Sequence, residues 1–181
     1  MQSASQISPI RIAVLVGSAR TNGNTMQIVD LLRQTLQNKV SVHDLKALNI
    51  NGFDYDNAFK EDDFLSTLDD VLDADVVIFA TPIYWYTLSS QLKQFVERLS
   101  DITMFYPDLL PRFRGKRGFL LMTGASDEVP EGMTVAIEKT CTHLQMKYTD
   151  SLYIQFEDQK PKSTQFMQQI LQFASNILKQ R

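Results

Sequence analysis

Cysteine is almost absent from this chain, which has a single one, Cys141, among 181 residues. A lone cysteine forms neither an internal disulfide nor a thiolate metal cluster, so we expect an inert thiol and a reducing, cytoplasmic environment. Histidine is scarce as well, because only His43 and His143 occur and neither lies in a metal-ligand or nucleophile pattern. We therefore predict no metal site and no disulfide scaffold.

An excess of charge and long apolar runs are also missing. The chain has 18 basic and 21 acidic residues, so no basic excess indicates a nucleic-acid partner. Its first nine residues are polar, without positive charge or an apolar core, which is untypical of a secretory signal or a membrane span. We interpret residues 1–9 as a flexible tail and residues 10–181 as one domain, with no membrane partner.

The most informative segment joins a buried strand to a helix. Residues 12–16 are apolar throughout, which is typical of a strand covered on both faces, and helical spacing of apolar residues follows from Ile28 to Leu36. The helix N-terminus between these elements leaves unpaired backbone N–H groups that attract anions. We predict a phosphate site there, with side-chain donors from Ser18, Arg20, Asn22, Asn24 and Thr25.

Three known phosphate signatures are absent from this loop. Five residues separate Gly17 from Gly23, two glycines that let the backbone approach a ligand closely, and Asn24 stands where a triphosphate loop needs lysine. Ala19 and Asn22 replace glycines of the dinucleotide fingerprint, and no cysteine nucleophile lies in the turn. A single terminal phosphate therefore fits best. A helix start capped by asparagine and threonine that binds only water remains the alternative.

Strand and helix patterns alternate along the rest of the chain. Strands are predicted over residues 40–45, 75–80, 117–122 and 151–156, and helices over residues 88–99, 133–144 and 166–177. On the helix 88–99, Lys93, Glu97 and Arg98 are expected to face solvent. Five strands alternating with helices predict a parallel sheet in an α/β/α sandwich. Two long loops, 47–62 and 101–116, are expected to cover a site or form an interface.

Polar and aromatic residues follow the predicted strands where ligands bind, beyond the carboxyl ends. Three successive aromatics, residues 84–86, come after the strand 75–80, and Pro82 makes their loop rigid. Thr123 and Gly124 begin a small loop after the next strand. A phosphate site beside an aromatic platform describes a mononucleotide with a planar head, and flavin mononucleotide (FMN) meets that description. Ordinary core packing of Trp85 remains the alternative.

These motifs resemble those of the flavodoxin-like NAD(P)H-dependent FMN reductases and quinone reductases. The resemblance rests on residues 17–25, similar to the family pattern G-S-x-R-x-x-G/S-N-S/T, and on residues 81–85 with residues 92–98 downstream. It implies a flavodoxin-like three-layer α/β/α sandwich whose five parallel strands lie in the order 2-1-3-4-5. The cysteine cluster of the related iron–sulfur flavoproteins is missing, so no iron–sulfur cluster is expected.

The resemblance also implies a cofactor and a reaction. FMN would bind through its phosphate and its ring to Ser18, Arg20, Asn22, Asn24, Thr25, Pro82, Ile83, Tyr84, Trp85, Thr123 and Gly124. Hydride would pass from NADPH or NADH to the flavin and on to a quinone, a flavin or a similar small acceptor. Because the cofactor carries this chemistry, no catalytic side chain is named. Arg112, Arg114 and Lys116 are either candidates for contacting the 2′-phosphate of NADPH or ordinary loop charges.

Two other functions stay open at this stage. A flavodoxin-type electron carrier binds the same cofactor but docks protein partners through a strongly acidic face, and a flavin-binding module would have no turnover. The nearly balanced charge of the chain favours the reductase over the carrier. A homodimer is expected, in which the partner helps to cover the flavin.

Overall fold

The computed structural model describes residues 9–37 and 39–179, so residues 1–8 of the predicted tail lie outside the described residues. Its strands are β1 (Arg11–Val16), β2 (Lys39–Asp44), β3 (Val76–Pro82), β4 (Arg117–Gly124), β5 (Lys147–Glu157) and β6 (Lys160–Pro161). They form one sheet in the order β2-β1-β3-β4-β5-β6, parallel except for β6. The predicted order 2-1-3-4-5 is confirmed, and β6 adds a short antiparallel edge.

Helices cover both faces of the sheet. They are α1 (Asn24–Leu36), α2 (Asp63–Asp73), α3 (Ser90–Arg98), α4 (Ser100–Met104), α5 (Val135–His143) and α6 (Phe166–Leu178). One apolar core lies between the sheet and α1 and α6, and the other lies between the sheet and α2, α3 and α5. The predicted loop 101–116 contains α4 and a 3₁₀ helix, Pro107–Phe113.

Each central strand supplies both cores, which explains its continuous apolar sequence. In β1, Ile12 and Val14 face α1 and α6, whereas Ala13 and Leu15 join the opposite core. Residues of one strand alternate between the two faces of the sheet. In a strand covered on both sides, every residue therefore faces an apolar core. The apolar runs identified in the sequence therefore mark the middle of the sheet.

The first turn of α3 packs directly on the end of β1. A Cβ atom on Gly17 would lie 2.5 Å from the Cβ of Leu92, so a larger residue does not fit there. Buried Ser89 donates its hydroxyl to the Gly17 carbonyl at 2.8 Å, and its N–H donates to Thr81 Oγ1 at 3.0 Å. The Gly17 N–H donates to the Ala80 carbonyl at 2.8 Å. Gly17 thus serves helix packing, a role that the sequence analysis did not predict.

Arg98 is buried, so the prediction that it faces solvent is wrong. Its guanidinium donates to the Asp62 carboxylate at 2.6 Å and to the Asp101 carboxylate at 2.9 Å. It also lies over the Phe64 ring, 4.6 Å from the centroid. Burial opposes ionisation of Asp62, but hydrogen bonds from Arg98 and two backbone N–H groups outweigh it and lower the pKa of that carboxyl. The ion cluster ties the loop before α2 to the end of α3.

Replacing Arg98 with methionine should leave two buried carboxylates without their cation. We expect the free energy of unfolding, measured by urea denaturation at pH 7, to fall by about 3–5 kcal/mol. Lys93→Met is the matched control, since Lys93 forms an exposed ion pair with Glu97 on the same helix, and such pairs contribute about 0–1 kcal/mol. Equal losses in the two variants would contradict the role assigned to Arg98.

Candidate functional site

A cavity of about 390 Å³ opens at the carboxyl edge of the sheet, where β1, β3 and β4 end. Nine of the eleven predicted site residues line it: Ser18, Arg20, Asn24, Thr25, Pro82, Ile83, Tyr84, Thr123 and Gly124. Asn22 and Trp85 are not among the lining residues. The structure therefore brings the three predicted loops together around one concave space.

The start of α1 forms one end of this cavity. Its N-cap residue, Gly23, makes no side-chain cap, and no acidic residue stands in the first turn. The backbone N–H groups of residues 24–26 find no hydrogen-bond acceptor among the described residues. A Cβ atom on Gly23 would approach the Arg20 carbonyl to 3.3 Å and Ser18 Oγ to 3.6 Å, so the loop is tightly curled. The capping by asparagine and threonine that the alternative assumed is therefore not found at the start of α1.

A buried hydrogen bond joins α1 to the end of β4. The hydroxyls of Thr25 and Thr123 lie 2.7 Å apart, and each residue is 1% exposed. In such a pair one hydroxyl donates to the other, so the proton of the second remains free for another acceptor. The pair fixes the distance between the phosphate loop, residues 17–25, and the loop after β4, and it still offers one donor to a ligand.

The aromatic segment after β3 forms a tight hairpin. Tyr84 and Thr87 exchange two backbone hydrogen bonds of 3.1 Å, and the two residues between them have φ angles of 46° and 66°. This is a two-residue turn of type I′. Trp85 at its tip is 91% exposed, so the alternative that Trp85 packs in the core is wrong.

Backbone donors for a ring edge come from the loop after β4. The N–H of Ile83 donates to the Thr123 carbonyl at 2.7 Å, and that of Tyr84 is used within its own hairpin. The N–H groups of Ala125 and Ser126 find no acceptor among the described residues. The loop after β4, called the third loop below, therefore has backbone donors to spare.

Side chains of β5 hold this third loop in place. The Tyr153 hydroxyl donates to the Ser126 carbonyl at 2.6 Å, and the Gln155 amide donates to the Ala125 carbonyl at 2.9 Å. The Gln155 amide also donates to Asp127, whose carboxylate pairs with Lys162 at 2.8 Å. The loop is thus anchored from outside the cavity, which leaves its backbone N–H groups available inside.

Sequence reasoning missed a wall of the cavity formed by the β5–β6 hairpin. Phe156, Asp158 and Gln159 line the cavity together with the predicted residues, and so do Gly23 and Ala125. The rule that ligands bind at carboxyl ends of strands applies to β5 as well, so this rule could have found Phe156. The hairpin itself had no signal, because its two-residue turn contains no glycine or asparagine.

A second cavity of about 520 Å³ adjoins the first. It is lined by Ile83, Tyr84, Trp85, Tyr86, Ser126 and Pro130, and it shares Ile83 and Tyr84 with the first cavity. Its walls carry no charged side chain, and half of its lining residues are aromatic. A planar, uncharged group suits such a surface.

The basic residues considered for the 2′-phosphate of NADPH lie at the opposite edge of the sheet, just before β4 begins. Arg112 pairs with Asp73 at 2.9 Å, and Arg114 donates to Gln145 at 3.0 Å. The Lys116 ammonium is buried and donates to two carbonyls at the end of α2, and burial lowers its pKa. Their proposed contact with NADPH is therefore wrong, and they stabilise the fold instead.

Titratable groups elsewhere in the described part of the chain bear on the predicted thiol and metal chemistry. Burial raises the pKa of the Cys141 thiol to about 12, which agrees with the predicted inert thiol. Within residues 9–37 and 39–179, no three histidine, cysteine or acidic side chains are grouped to hold a metal. In the same part of the chain, none of the helices is long and apolar enough to cross a bilayer.

The sequence matches the family model of the NADPH-dependent FMN reductases over residues 10–160. The chain belongs to this family. A relative from Bacillus subtilis, provisionally named NAD(P)H-dependent FMN-containing oxidoreductase YwqN, is 25% identical over 180 residues, covering 94% of this chain and 97% of the relative. The predicted FMN-dependent NAD(P)H oxidoreductase, with FMN as its cofactor, is confirmed by this membership.

Solved structures agree with the fold. The Trp repressor binding protein from Bacillus subtilis has a TM-score of 0.70 at 23% identity, with 94% of this chain and 99% of that chain covered. An NAD(P)H:quinone oxidoreductase from Methanothermobacter marburgensis has a TM-score of 0.67 at 12% identity, with 96% and 98% covered. A flavodoxin, WrbA-like protein from Agrobacterium tumefaciens has a TM-score of 0.64 at 15% identity, with 94% and 95% covered. The flavodoxin-like fold is therefore confirmed.

The residues of the first cavity fit FMN. Free N–H groups at the start of α1, the Arg20 side chain and the spare hydroxyl proton of the threonine pair suit a phosphate. Pro82, Ile83 and Tyr84 offer an apolar and aromatic wall for a planar ring, and the loop after β4 offers backbone donors to its polar edge.

Thr25→Val should remove one hydroxyl from the phosphate end while keeping the volume of the side chain. Hydrogen bonds to charged groups contribute about 1.5–3 kcal/mol, so we expect FMN affinity to fall about 10- to 100-fold. Riboflavin, which lacks the phosphate, should bind about as well as before. Titration of flavin-free protein with each ligand measures both affinities.

Thr25→Ser, which keeps the hydroxyl, is the matched control and should retain FMN affinity. Equal losses for FMN and riboflavin in the valine variant would show that Thr25 does not contact the phosphate.

Proposed function

We propose that the first cavity holds FMN with its phosphate at the start of α1 and its ring between residues 82–84 and 123–124. The reduced protein then passes electrons to a quinone, a free flavin or a similar small acceptor, with NADPH or NADH as the donor. The uncapped start of α1 inside a cavity with an aromatic wall is the observation that carries this proposal. Family membership supports the cofactor, and the geometry supports its orientation.

When bound, FMN supplies the hydride and electron chemistry. The chain contributes binding and polarity. Arg20 and the N–H groups of residues 24–26 would hold the phosphate, and the Thr25–Thr123 pair would fix the start of α1 relative to the loop after β4. The N–H groups of Ala125 and Ser126 would stabilise negative charge at the polar edge of the ring, because preorganised donors act without a cost of reorientation. No side-chain acid or base is required of the protein.

The second cavity is the proposed place for the nicotinamide and for the acceptor. It shares Ile83 and Tyr84 with the first cavity, so a ring bound there would lie next to a ring bound in the first cavity. Its walls carry no charge, which favours neutral planar acceptors over anionic ones. Quinones have this chemistry.

The tip of the aromatic hairpin supports a homodimer. Type I′ turns prefer Asn-Gly, since both central residues have positive φ, yet this chain places Trp85 and Tyr86 there. Both rings are exposed, and exposed aromatic groups beside a cavity are typical of a contact surface. A second copy that covers the hairpin would also close the second cavity. A cytoplasmic location completes the proposal, supported by the single, buried cysteine.

Purified protein supplied with FMN should oxidise NADPH or NADH when a quinone is added. The loss of absorbance at 340 nm, the standard nicotinamide band, measures this oxidation. Thr25→Val should show lower activity that excess FMN restores, since the lesion lies in cofactor binding. Protein that retains FMN but oxidises neither nicotinamide with any quinone or free flavin would contradict the proposed reaction.

Replacing Trp85 with asparagine and Tyr86 with glycine removes both rings and gives the hairpin its preferred turn sequence. We expect the wild-type protein to be a dimer and this double variant to be a monomer with an unchanged circular dichroism spectrum. Light scattering after gel filtration measures both masses.

The matched control is Leu171→Ser, which removes an exposed apolar side chain from α6, away from the cavity, and should leave the dimer intact. A monomeric wild-type protein, or a double variant that remains dimeric, would contradict an interface at the hairpin.

A further inference from the structure

The β5–β6 hairpin forms a wall of the FMN cavity that lies outside both sequence motifs. Asp158 and Gln159 occupy its turn and line the same cavity as Ser18, Arg20 and Asn24 from the phosphate loop. Both turn residues have positive φ, 47° and 63°, without being glycine. Backbone strain of this kind is kept mainly where side chains have a function.

The hairpin is held in position by contacts on both of its strands. Phe156 pairs with Pro161, and Glu157 pairs with Lys160. Just after the hairpin, the Lys162 N–H donates to the carbonyl of Gln155 at 2.9 Å, and its ammonium pairs with Asp127 of the third loop. The turn is therefore fixed beside the cavity, so the charge of Asp158 stays near any ligand bound there.

Two charged residues line this cavity, Arg20 and Asp158, and they have opposite signs. Neither forms an ion pair within the part of the chain that the structure describes. A phosphate monoester carries about −1.5 to −2 charges at pH 7, so Arg20 attracts it and Asp158 repels it. The side chains of the cavity thus provide no net positive charge, and recognition depends on neutral donors.

We propose that Asp158 is a specificity-determining residue of the FMN site: its carboxylate repels the phosphate and keeps FMN exchangeable. The proposal rests on the proposed placement of FMN in this cavity. The carboxylate of Asp158 lowers the affinity for FMN and leaves the affinity for uncharged riboflavin unchanged. A cofactor held in this way binds more weakly than the number of hydrogen-bond donors in the cavity alone would suggest.

Asp158→Asn tests this role with little effect on the turn, since asparagine tolerates positive φ better than most residues. Glu157→Gln is the matched control, because it removes a carboxylate from the same hairpin at an exposed position that does not line the cavity. Full-length protein stripped of flavin is titrated with FMN and with riboflavin at low and high salt. Flavin fluorescence gives the affinities, and circular dichroism checks the fold.

We expect Asp158→Asn to bind FMN about three- to tenfold more tightly than wild type at low salt, with riboflavin unchanged. The difference should narrow at high salt, because screening weakens the repulsion between exposed charges. Glu157→Gln should behave like wild type throughout.

Three results would overturn the role of Asp158. These are a variant with wild-type FMN affinity, a variant that gains equally for FMN and riboflavin, and a variant that loses FMN affinity because the carboxylate accepts a hydrogen bond from the ligand. Each of these leaves the FMN site itself intact. Failure of the proposed site is a separate outcome, in which wild-type protein binds riboflavin as tightly as FMN and Thr25→Val changes neither.

Discussion

The packing of α3 against Gly17 is the contact on which the site depends. The absence of a side chain at Gly17 lets the first turn of α3 rest on the end of β1, where Leu92 would otherwise collide with a Cβ atom. Ser89 then bonds to the Gly17 carbonyl and, through its own N–H, to Thr81 on β3. The phosphate loop begins just after Gly17 and the aromatic segment just after Thr81, so one junction sets the relative positions of both.

Two turns at the carboxyl edge of the sheet have a strained backbone. The hairpin at residues 84–87 and the β5–β6 hairpin both place non-glycine residues at positive φ, and both border a cavity at the same edge of the sheet. Asparagine and glycine would satisfy these turns with less strain. The chain instead retains aromatic rings at one turn and a carboxylate at the other, which is the pattern expected where side-chain chemistry has been kept at a cost in local stability.

Much of the fold follows from the order of apolar runs in the sequence. Strands buried on both faces need continuous apolar residues, so β1, β3 and β4 could be predicted from their apolar runs. The loops that line the cavity follow the carboxyl ends of these strands. The position of three basic residues in the sequence also indicates which edge of the sheet they occupy. Arg112, Arg114 and Lys116 precede β4, and residues before a parallel strand lie at its amino edge, away from the ligand.

Other features depend on tertiary contacts that no local pattern reports. Arginine usually lies at the protein surface. The burial of Arg98 requires Asp62 from a distant loop and Asp101 from the next helix. The sequence identifies Gly17 as a glycine that permits close approach, but it does not show that the first turn of α3 packs there. The β5–β6 hairpin lacks the usual turn residues, so its wall of the cavity emerges only when the chain is folded.

A crystal structure of the protein grown with FMN tests the central claim most directly. The account predicts the phosphate within hydrogen-bonding distance of the N–H groups at the start of α1, with the ring beside Pro82 and Tyr84 and its polar edge toward Ala125 and Ser126. A flavin whose phosphate lies away from α1, or whose ring occupies the second cavity with the first left to solvent, would contradict it.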